Sequence, residues 1–227
     1  MNIDVIIPAY NEETSIGLVL DDIPSELVRE VIVCNNNSTD NTKSVAISKG
    51  ARVVDAMEKG YGSACLKGMD YIASKEEAPD IVVFLDGDYS DHPEQMTLLV
   101  EPIIQKGYDM VIGSRALGKM EEGSMQPQQI FGNWLATTLI KAFYRVEFTD
   151  LGPFRALKYS SLLDLKMEDK DFGWTVEMQV KAAKMKMKSM EIPVNYRKRI
   201  GVSKISGTIK GTILAGHKIL WTIFKLL

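Results

Sequence analysis

The stretch that decides the fold runs from Ile81 to Asp88 and reads Ile81-Val82-Val83-Phe84-Leu85-Asp86-Gly87-Asp88. Its first five residues are apolar and partly β-branched, which predicts a strand buried on both faces. Two carboxylates, one residue apart, follow directly. Buried carboxylates are unfavourable unless a cation or hydrogen-bond donors meet them. The stretch therefore predicts a parallel-sheet protein with a cation-binding pair at a strand end.

Apolar runs of similar length precede and follow this strand, and segments of helical periodicity separate them. We predict strands at Ile3–Ile7, Glu30–Cys34, Ala51–Val54, Ile81–Leu85 and Met110–Ile112. Helices are predicted at Thr14–Asp21, Asp40–Lys49, Ser63–Ser74 and Glu94–Lys106. Such a βαβ series is typical of an open α/β sheet with mostly parallel strands.

The second half of the chain begins with a long polar segment. Leu117–Gln126 is rich in Gly, Met and Glu, and its length is typical of a mobile, functional loop. Beyond it we predict a helix at Gln128–Tyr144, strands at Phe154–Leu157 and Lys188–Tyr196, a helix at Thr175–Ala183 and a terminal helix from about Gly207.

Composition excludes several classes of protein. The 227 residues are 45% hydrophobic and 25% charged, which is typical of one globular domain with an elaborated end and excludes a disordered or collagenous chain. We expect no secretory signal and no membrane span, because no basic leader and no run of ~20 apolar residues is present. Two cysteines without metal-ligand spacing, Cys34 and Cys65, favour reduced thiols in the cytoplasm.

The net charge of −3 conceals an asymmetry. Residues 192–227 carry seven Lys and Arg and no acidic residue, whereas residues 1–191 carry 20 basic and 30 acidic side chains. The overall balance argues against nucleic acid as a partner. The basic end instead predicts a local surface for phosphate groups or anionic lipid.

Polar clusters follow four of the predicted strands. They are Asn11-Glu12-Glu13, the run Asn35–Asp40, Lys59-Gly60-Tyr61-Gly62 and Asp86-Gly87-Asp88. Turn chemistry would explain any one of them. The carboxyl ends of parallel strands, however, meet at one edge of a sheet, where open α/β sheets bind ligands. Four clusters there predict a binding site.

Three kinds of site use an Asp-x-Asp pair. An EF-hand loop starting at Asp86 needs Gly at its sixth position and Glu at its twelfth, which here are Asp91 and Thr97, so this class is excluded. A phosphatase of the haloacid-dehalogenase type usually carries the pair on the first strand rather than the fourth, but a Mg²⁺-dependent sugar-phosphate phosphatase stays an alternative. The third class holds Mg²⁺ or Mn²⁺ against a nucleotide diphosphate.

The chain resembles glycosyltransferase family 2 over nearly its whole length. Six segments occur in the order typical of that family: Val5–Glu13, Asn36–Asp40, Lys59–Gly62, Phe84–Asp88, Ile112–Arg115 and Asp150–Ala156. The dolichyl- and polyprenyl-phosphate sugar transferases are the most similar members. The resemblance implies an α/β GT-A catalytic domain, expected over residues 1–206, and inverting transfer from a UDP- or GDP-sugar. The apolar pattern of residues 207–227 predicts a C-terminal amphipathic helix.

The resemblance also implies roles for residues. Those expected to bind the nucleotide are Pro8, Ala9, Tyr10, Glu12, Asn35, Asp40, Lys59, Gly62 and Asp86. Asp88 is expected to be the principal metal ligand, with Asp86 supporting the ribose or a metal-bound water. Tyr10 and Glu12 could instead form an ordinary strand-to-helix turn with a capping acid. The expected metal is Mg²⁺ or Mn²⁺.

Positive charge is expected where phosphates bind, because guanidinium groups hold phosphate oxygens in pairs. The candidates are Arg115, Arg155, Arg199 and Lys204, of which the last two could also belong to a solvated basic loop. A phosphate acceptor needs no general base, whereas a hydroxyl acceptor does. Asp150 and Glu177 are the catalytic candidates for that base, and each could equally have a structural role.

Three departures from the family pattern bear on substrates. Ser90 replaces a common Gln ligand, so Asp91 or His92 could supply a third metal ligand. Asn35 and Asn36 replace a common Asp, which leaves the base open. Gln128 and Gln129 stand where polyprenyl-phosphate members often carry Arg, so a lipid phosphate and a hydroxyl in a cell-surface glycan both remain possible acceptors.

The terminal helix allows two interpretations. Its apolar residues Ile209, Ile213, Leu220, Phe224 and Leu227 fall largely on one face, beside Trp221 and between Lys210, Lys218 and Lys225. Such a helix either packs on the core or lies in the interface of a membrane, where lysines meet anionic lipid. The second interpretation predicts peripheral contact with the inner face of a membrane. A homo-oligomer is compatible with either.

Overall fold

The computed structural model describes residues 1–201 and 209–227, without the side chains of residues 209–213 and 215. The expected Lys204 site and the expected boundary between residues 206 and 207 lie outside the described residues.

A seven-stranded sheet forms the centre of the molecule. Its strands are β1 (Ile3–Ala9), β2 (Glu30–Asn35), β3 (Arg52–Asp55), β4 (Ile81–Phe84), β5 (Met110–Ser114), β6 (Arg155–Lys158) and β7 (Ser189–Pro193). Their order across the sheet is β3-β2-β1-β4-β6-β5-β7. All neighbouring pairs are parallel except those of β6, which runs antiparallel to β4 and β5. The predicted α/β class with a mostly parallel sheet is confirmed.

Helices cover both faces of the sheet. They are α1 (Ile16–Asp22), α2 (Thr42–Ser48), α3 (Tyr61–Ala73), α4 (Met96–Lys106), α5 (Pro127–Tyr144), α6 (Tyr159–Asp164), α7 (Trp174–Lys184) and α8 (Ile209–Lys225). Pro93 opens a 3₁₀ turn before α4, where its missing N–H costs no hydrogen bond. Helix α6 is not predicted from the sequence, because its six residues are too few for a helical periodicity to be recognised.

Two apolar cores result, one on each face of the sheet. Along β1, Ile6 enters one core and its neighbours Val5 and Ile7 enter the other, as the alternation of a strand requires. Every residue of β1 is buried. Full burial on both faces explains why this strand and β4 read as continuous apolar runs in the sequence. It also holds rigid the strand ends that carry the polar clusters.

Helix α8 packs against α5 and α7. Ile223 is fully buried in the same core as Trp174 of α7, and the Tyr144 hydroxyl donates to the Ile223 carbonyl at 2.7 Å. In contrast, Trp221 and Phe224 are about half exposed. One side of α8 therefore packs on the core, as the first interpretation predicts, while an aromatic side stays exposed. Among the described residues, no helix is long and apolar enough to cross a membrane.

Candidate active site

A cavity of about 360 Å³ opens at the carboxyl edge of β1, β2 and β4. Of the residues expected to bind nucleotide, metal or phosphate, those that line it are Pro8, Ala9, Tyr10, Glu12, Lys59, Asp86, Asp88 and Arg199. Tyr61, Asp171 and Phe172 line it as well. These residues come from five separate parts of the chain, and they meet at the edge where parallel strands end, as the polar clusters predict.

The two aspartates are held by different partners. Asp88 is 6% exposed, and its Oδ1 accepts hydrogen bonds from the amide of Ser90 at 2.9 Å and from the Ser90 hydroxyl. Its Oδ2 lies 3.2 Å from Nη1 of Arg199. Asp86 accepts a hydrogen bond from the Tyr61 hydroxyl at 2.9 Å. Both carboxylates are therefore oriented before any ligand arrives.

Negative charge accumulates in this region. Burial, followed by the charge of Asp88, raises the pKa of Asp86 to about 7. Burial and the same two aspartates raise the pKa of Asp91 well above its ordinary value. Asp91 is 1% exposed, and neither of its carboxylate oxygens has a hydrogen-bond partner among the described residues. Acids that repel one another in this way favour the binding of a cation, because a cation stabilises their charged forms.

The residues fit a divalent cation that a nucleotide helps to bind. Hard oxygen ligands are present, and the Arg199 guanidinium sits between Asp88 and Glu12 in the position of a cation. Among the described residues, no three acidic, His or Cys side chains are grouped to hold a metal by themselves. One or two carboxylates would therefore share the ion with phosphate and water, which is the usual arrangement for Mg²⁺. His92 pairs instead with Glu94 at 2.7 Å.

The two glycines of the Lys59–Gly62 cluster allow a close approach of backbones. A Cβ on Gly60 would lie 2.0 Å from the Lys170 carbonyl oxygen, and one on Gly62 would lie 1.9 Å from that of Asp169. The amide of Ser63 donates to the Lys170 carbonyl at 2.9 Å. This contact seats the segment that ends in Asp171 and Phe172 as a wall of the cavity. Gly62 thus shapes the site without lining it.

Replacing Gly62 with Ala is expected to lower the free energy of unfolding by about 1–3 kcal/mol, because the new methyl group forces the wall segment away. Urea denaturation measures the change. Gly216→Ala is the matched control, since a Cβ on Gly216 meets nothing within 4 Å and alanine favours a helix. Equal stability of the Gly62 variant and the wild type would contradict the close approach.

The second strand ends in amides that fasten the loops around the cavity. Asn36 donates to the carbonyls of Ala56 and Glu58 and accepts from the amide of Gly60. Asn35 donates to Asp55 and lies outside the cavity lining. Both side chains therefore have structural partners. Asn36 hydrogen-bonds to three main-chain groups, and Asn35 hydrogen-bonds to the Asp55 side chain.

Asp40 fastens the loop after β1 to the start of α2. Its two oxygens accept from the amides of Glu13 and Thr42 and from the Thr42 hydroxyl. Burial opposes the charged form, but these hydrogen bonds lower the pKa of Asp40 overall. Asp40 shapes the edge of the site from outside the cavity.

Tyr10 lines the cavity and is 40% exposed. Its ring offers the flat face that a nucleotide base would need.

Arg115 and Asp150 form a buried pair rather than a free phosphate ligand and a free base. Nε and Nη2 of Arg115 donate to the two carboxylate oxygens at 2.7 and 2.6 Å, and the Arg115 guanidinium lies 5.0 Å from the centre of the Tyr196 ring. Glu177 is likewise occupied, since it accepts from the amides of Glu168 and Asp169. The structure thus gives a structural role to both candidate bases.

Arg155 departs furthest from its expected role. It lies on β6 between two other strands, is fully buried and donates to the carbonyls of Leu151, Gly152 and Thr175. Burial lowers the pKa of its guanidinium to about 10. Arg155 therefore lies outside the cavity lining in this structure, because its donors bind main-chain oxygens inside the sheet.

Sequence reasoning missed Asp171 and Phe172, which stand more than 80 residues from the aspartate pair. Their signal in the sequence is indirect: two glycines in the Lys59–Gly62 cluster allow another segment to pack closely against them.

The loop at Leu117–Gln126 is also joined to the site region, through Met120 and Glu121, which pair with the main chain of Tyr196. Its mobility stays a prediction.

An acidic pair beside an aromatic face, at the carboxyl edge of a mostly parallel sheet, is typical of α/β enzymes that bind a nucleotide together with a cation. Comparison of the sequence with models of known protein families identifies the family. The model described as "Glycosyl transferase family 2" matches residues 4–165, and the chain belongs to that family.

Relatives and solved structures agree with this assignment. An uncharacterized glycosyltransferase of Mycobacterium tuberculosis is 34% identical over 94% of both chains. An undecaprenyl-phosphate mannosyltransferase of Micrococcus luteus is 31% identical over 93% of this chain and 90% of its own length. Glucosyl-3-phosphoglycerate synthase of Mycobacterium tuberculosis, solved with Mn²⁺, UDP-glucose and phosphoglyceric acid, has a TM-score of 0.77 at 24% identity, covering 99% of this chain and 79% of that one. That likeness concerns the fold, which is the expected GT-A fold.

Proposed function

We propose that this protein transfers a sugar, with inversion, from a nucleotide-diphosphate sugar to a polyprenyl phosphate. The observation that carries the proposal is the Asp86 and Asp88 pair on a cavity that also presents Tyr10. The relative from Micrococcus luteus, whose name gives undecaprenyl phosphate as acceptor, supports the choice of acceptor.

The residues of the cavity divide the work. Tyr10 would stack on the base, and Glu12 would accept hydrogen bonds from the base or ribose. Asp88, with Asp86, would hold Mg²⁺ or Mn²⁺, which when bound neutralises charge on the leaving diphosphate. Arg199 would add a guanidinium on the same phosphates. The acceptor then attacks the anomeric carbon from the side opposite the leaving group, which inverts its configuration.

The state of the acids favours a phosphate acceptor. A phosphate is already ionised, so its oxygen can attack without a general base. Asp150 and Glu177 are both buried and held by an arginine, a lysine or main-chain amides, which leaves neither in position to accept a proton from an acceptor. The geometry therefore supports a reaction that does not need them.

A hydroxyl acceptor is the second candidate, and one observation favours it. Asp171 lines the cavity, and burial, then the charge of Asp169, raises the pKa of its carboxyl. A carboxylate so placed is a candidate general base. If Asp171→Asn keeps full transfer to a hydroxyl acceptor, Asp171 has no such role. None of the relatives or structures reported above is a phosphatase.

Donor binding is tested by thermal shift with UDP-, GDP- and CDP-sugars in the presence of Mn²⁺. A ligand that binds only the folded state raises Tm, and a concentration of 100 Kd adds about 2.7 kcal/mol. We expect one nucleotide to give a clear shift that EDTA abolishes. The selected donor is then assayed with polyprenyl phosphate and with soluble glycan acceptors. Transfer only to the glycans would show that the acceptor is a glycan hydroxyl and not polyprenyl phosphate.

We also propose that the protein binds membranes from its cytoplasmic side through α5 and α8. The exposed side chains are Phe131 and Trp134 on α5 and Trp221 and Phe224 on α8. The two helices are in contact, since the rings of Phe143 and Phe224 lie 5.5 Å apart. Neither helix contains an acidic residue, which suits an anionic lipid surface.

Vesicles of phosphatidylglycerol are expected to sediment the wild-type protein at low salt and less of it at high salt. Replacing Trp221 and Phe224 together with Ser should weaken binding at least about tenfold, because both aromatic side chains lose their apolar contact. Leu98 and Ile104 of α4, also about half exposed, provide the control when replaced with Ser. Equal loss in both double variants would contradict docking through α8.

A further inference from the structure

Arg199 already occupies the acidic part of the cavity. Its Nη1 lies 3.2 Å from Oδ2 of Asp88 and its Nη2 lies 3.2 Å from Oε1 of Glu12. The side chain is about two-thirds buried. Its Nε is buried and has no hydrogen-bond partner among the described residues. The guanidinium therefore bridges two acids at the point where a cation is expected.

The main chain around Arg199 is fastened independently of this bridge. The amide of Ile200 donates to the Asp88 carbonyl, and the amide of Arg197 donates to the Ser90 carbonyl, both at 2.9 Å. The Arg197 guanidinium lies 3.4 Å from the centre of the Tyr89 ring and donates to the Tyr89 carbonyl. The Arg199 side chain can consequently change partners while its backbone stays in place.

Both oxygens of Asp88 are in use. Oδ1 accepts from the amide and hydroxyl of Ser90, and Oδ2 faces Arg199. A divalent cation that binds Oδ2 requires a ligand distance of about 2.0–2.6 Å and repels a guanidinium at the same oxygen. A metal and Arg199 would thus compete for one carboxylate oxygen, and a guanidinium released from Asp88 would be available to bind phosphate.

We propose that Arg199 is an internal counter-ion of the metal site, which holds Asp88 and Glu12 in the free protein and exchanges onto the donor diphosphate when the cation binds. The inference rests on the proposed function through the metal role of Asp88. It gives Arg199 two opposed effects on binding: Arg199 weakens binding of the cation alone and strengthens binding of the nucleotide with its cation.

The test measures Mn²⁺ binding without nucleotide, from the electron paramagnetic resonance signal of free Mn²⁺. Arg199→Gln is expected to bind Mn²⁺ about five- to tenfold more tightly than the wild type, which corresponds to losing one partly buried ion pair. With saturating Mn²⁺, calorimetry should show that the same variant binds UDP or GDP about tenfold more weakly. Arg199→Lys keeps the charge but cannot bridge two acids. Its affinities for Mn²⁺ and for the nucleotide should lie between those of the wild type and Arg199→Gln.

Lys198→Gln is the control, because Lys198 pairs with Glu121 at 3.8 Å and loses the same charge one residue away. It should change neither affinity by more than about twofold. Unchanged or weaker Mn²⁺ binding by both Arg199 variants would overturn the exchange. The Asp88→Asn and Arg199→Gln double variant separates the two claims: if it still binds Mn²⁺, the metal role of Asp88 fails, whatever Arg199 does.

Discussion

Asp88→Asn is expected to lower kcat/KM for sugar transfer by about a thousandfold or more, since the charge that stabilises the leaving diphosphate is lost with the metal. Asp88 lies at the end of β4, and both of its oxygens are already oriented by Ser90 and Arg199. An amide of the same shape keeps most of these contacts but removes the negative charge. The assay compares initial rates of the variant and the wild type at saturating Mn²⁺.

The fold should survive this change. Asn keeps an oxygen for the Ser90 amide, and removing one of several crowded acids relieves repulsion of Asp86. We therefore expect a Tm equal to or above that of the wild type. Asp55→Asn, which changes an acid outside the cavity lining, is the control for general loss of charge. Wild-type turnover by Asp88→Asn would contradict the metal role.

Asp150→Ala is expected to lower the free energy of unfolding by about 3–5 kcal/mol, because it leaves the Arg115 guanidinium buried without its partner. Asp150 is 1% exposed and receives three donors from Arg115, namely its amide, Nε and Nη2. Urea denaturation of the variant and the wild type gives the difference.

A double variant distinguishes the unpaired charge from simple loss of packing. Replacing Arg115 with Met and Asp150 with Leu removes both charges and keeps apolar volume, so it should recover at least half of the stability that Asp150→Ala loses. A double variant as unstable as Asp150→Ala would show that the pair contributes through shape or through its main-chain contacts. A loss below about 1 kcal/mol in Asp150→Ala would contradict the buried pair.

The parallel sheet and the edge that carries the site could be predicted from the sequence because they depend on local signals. Burial of β1 and β4 on both faces requires uninterrupted apolar runs, and the parallel arrangement brings the following polar residues together. Asp86, Asp88 and Glu12 belong to the clusters predicted in this way, whereas Tyr10 is expected from the family resemblance. Their positions follow from the strand ends alone, without knowledge of the tertiary partners.

The rest of the site depends on contacts between distant segments, which local patterns do not contain. Arg155 carries the same charge as Arg199, yet β6 inserts antiparallel between β4 and β5 and encloses it. Asp150 and Glu177 could have been bases until the structure supplied Arg115 and main-chain amides as partners. Phe172 enters the cavity only because two distant glycines accept the segment before it.

The central claim is tested most directly by one transfer assay with the full chain, the nucleotide sugar selected by thermal shift, a polyprenyl phosphate in vesicles and Mn²⁺. The account predicts a glycosyl phosphoryl lipid with inverted anomeric configuration, and its formation should stop when EDTA exceeds the metal. Undiminished transfer in excess EDTA, or a product with retained configuration, would contradict it.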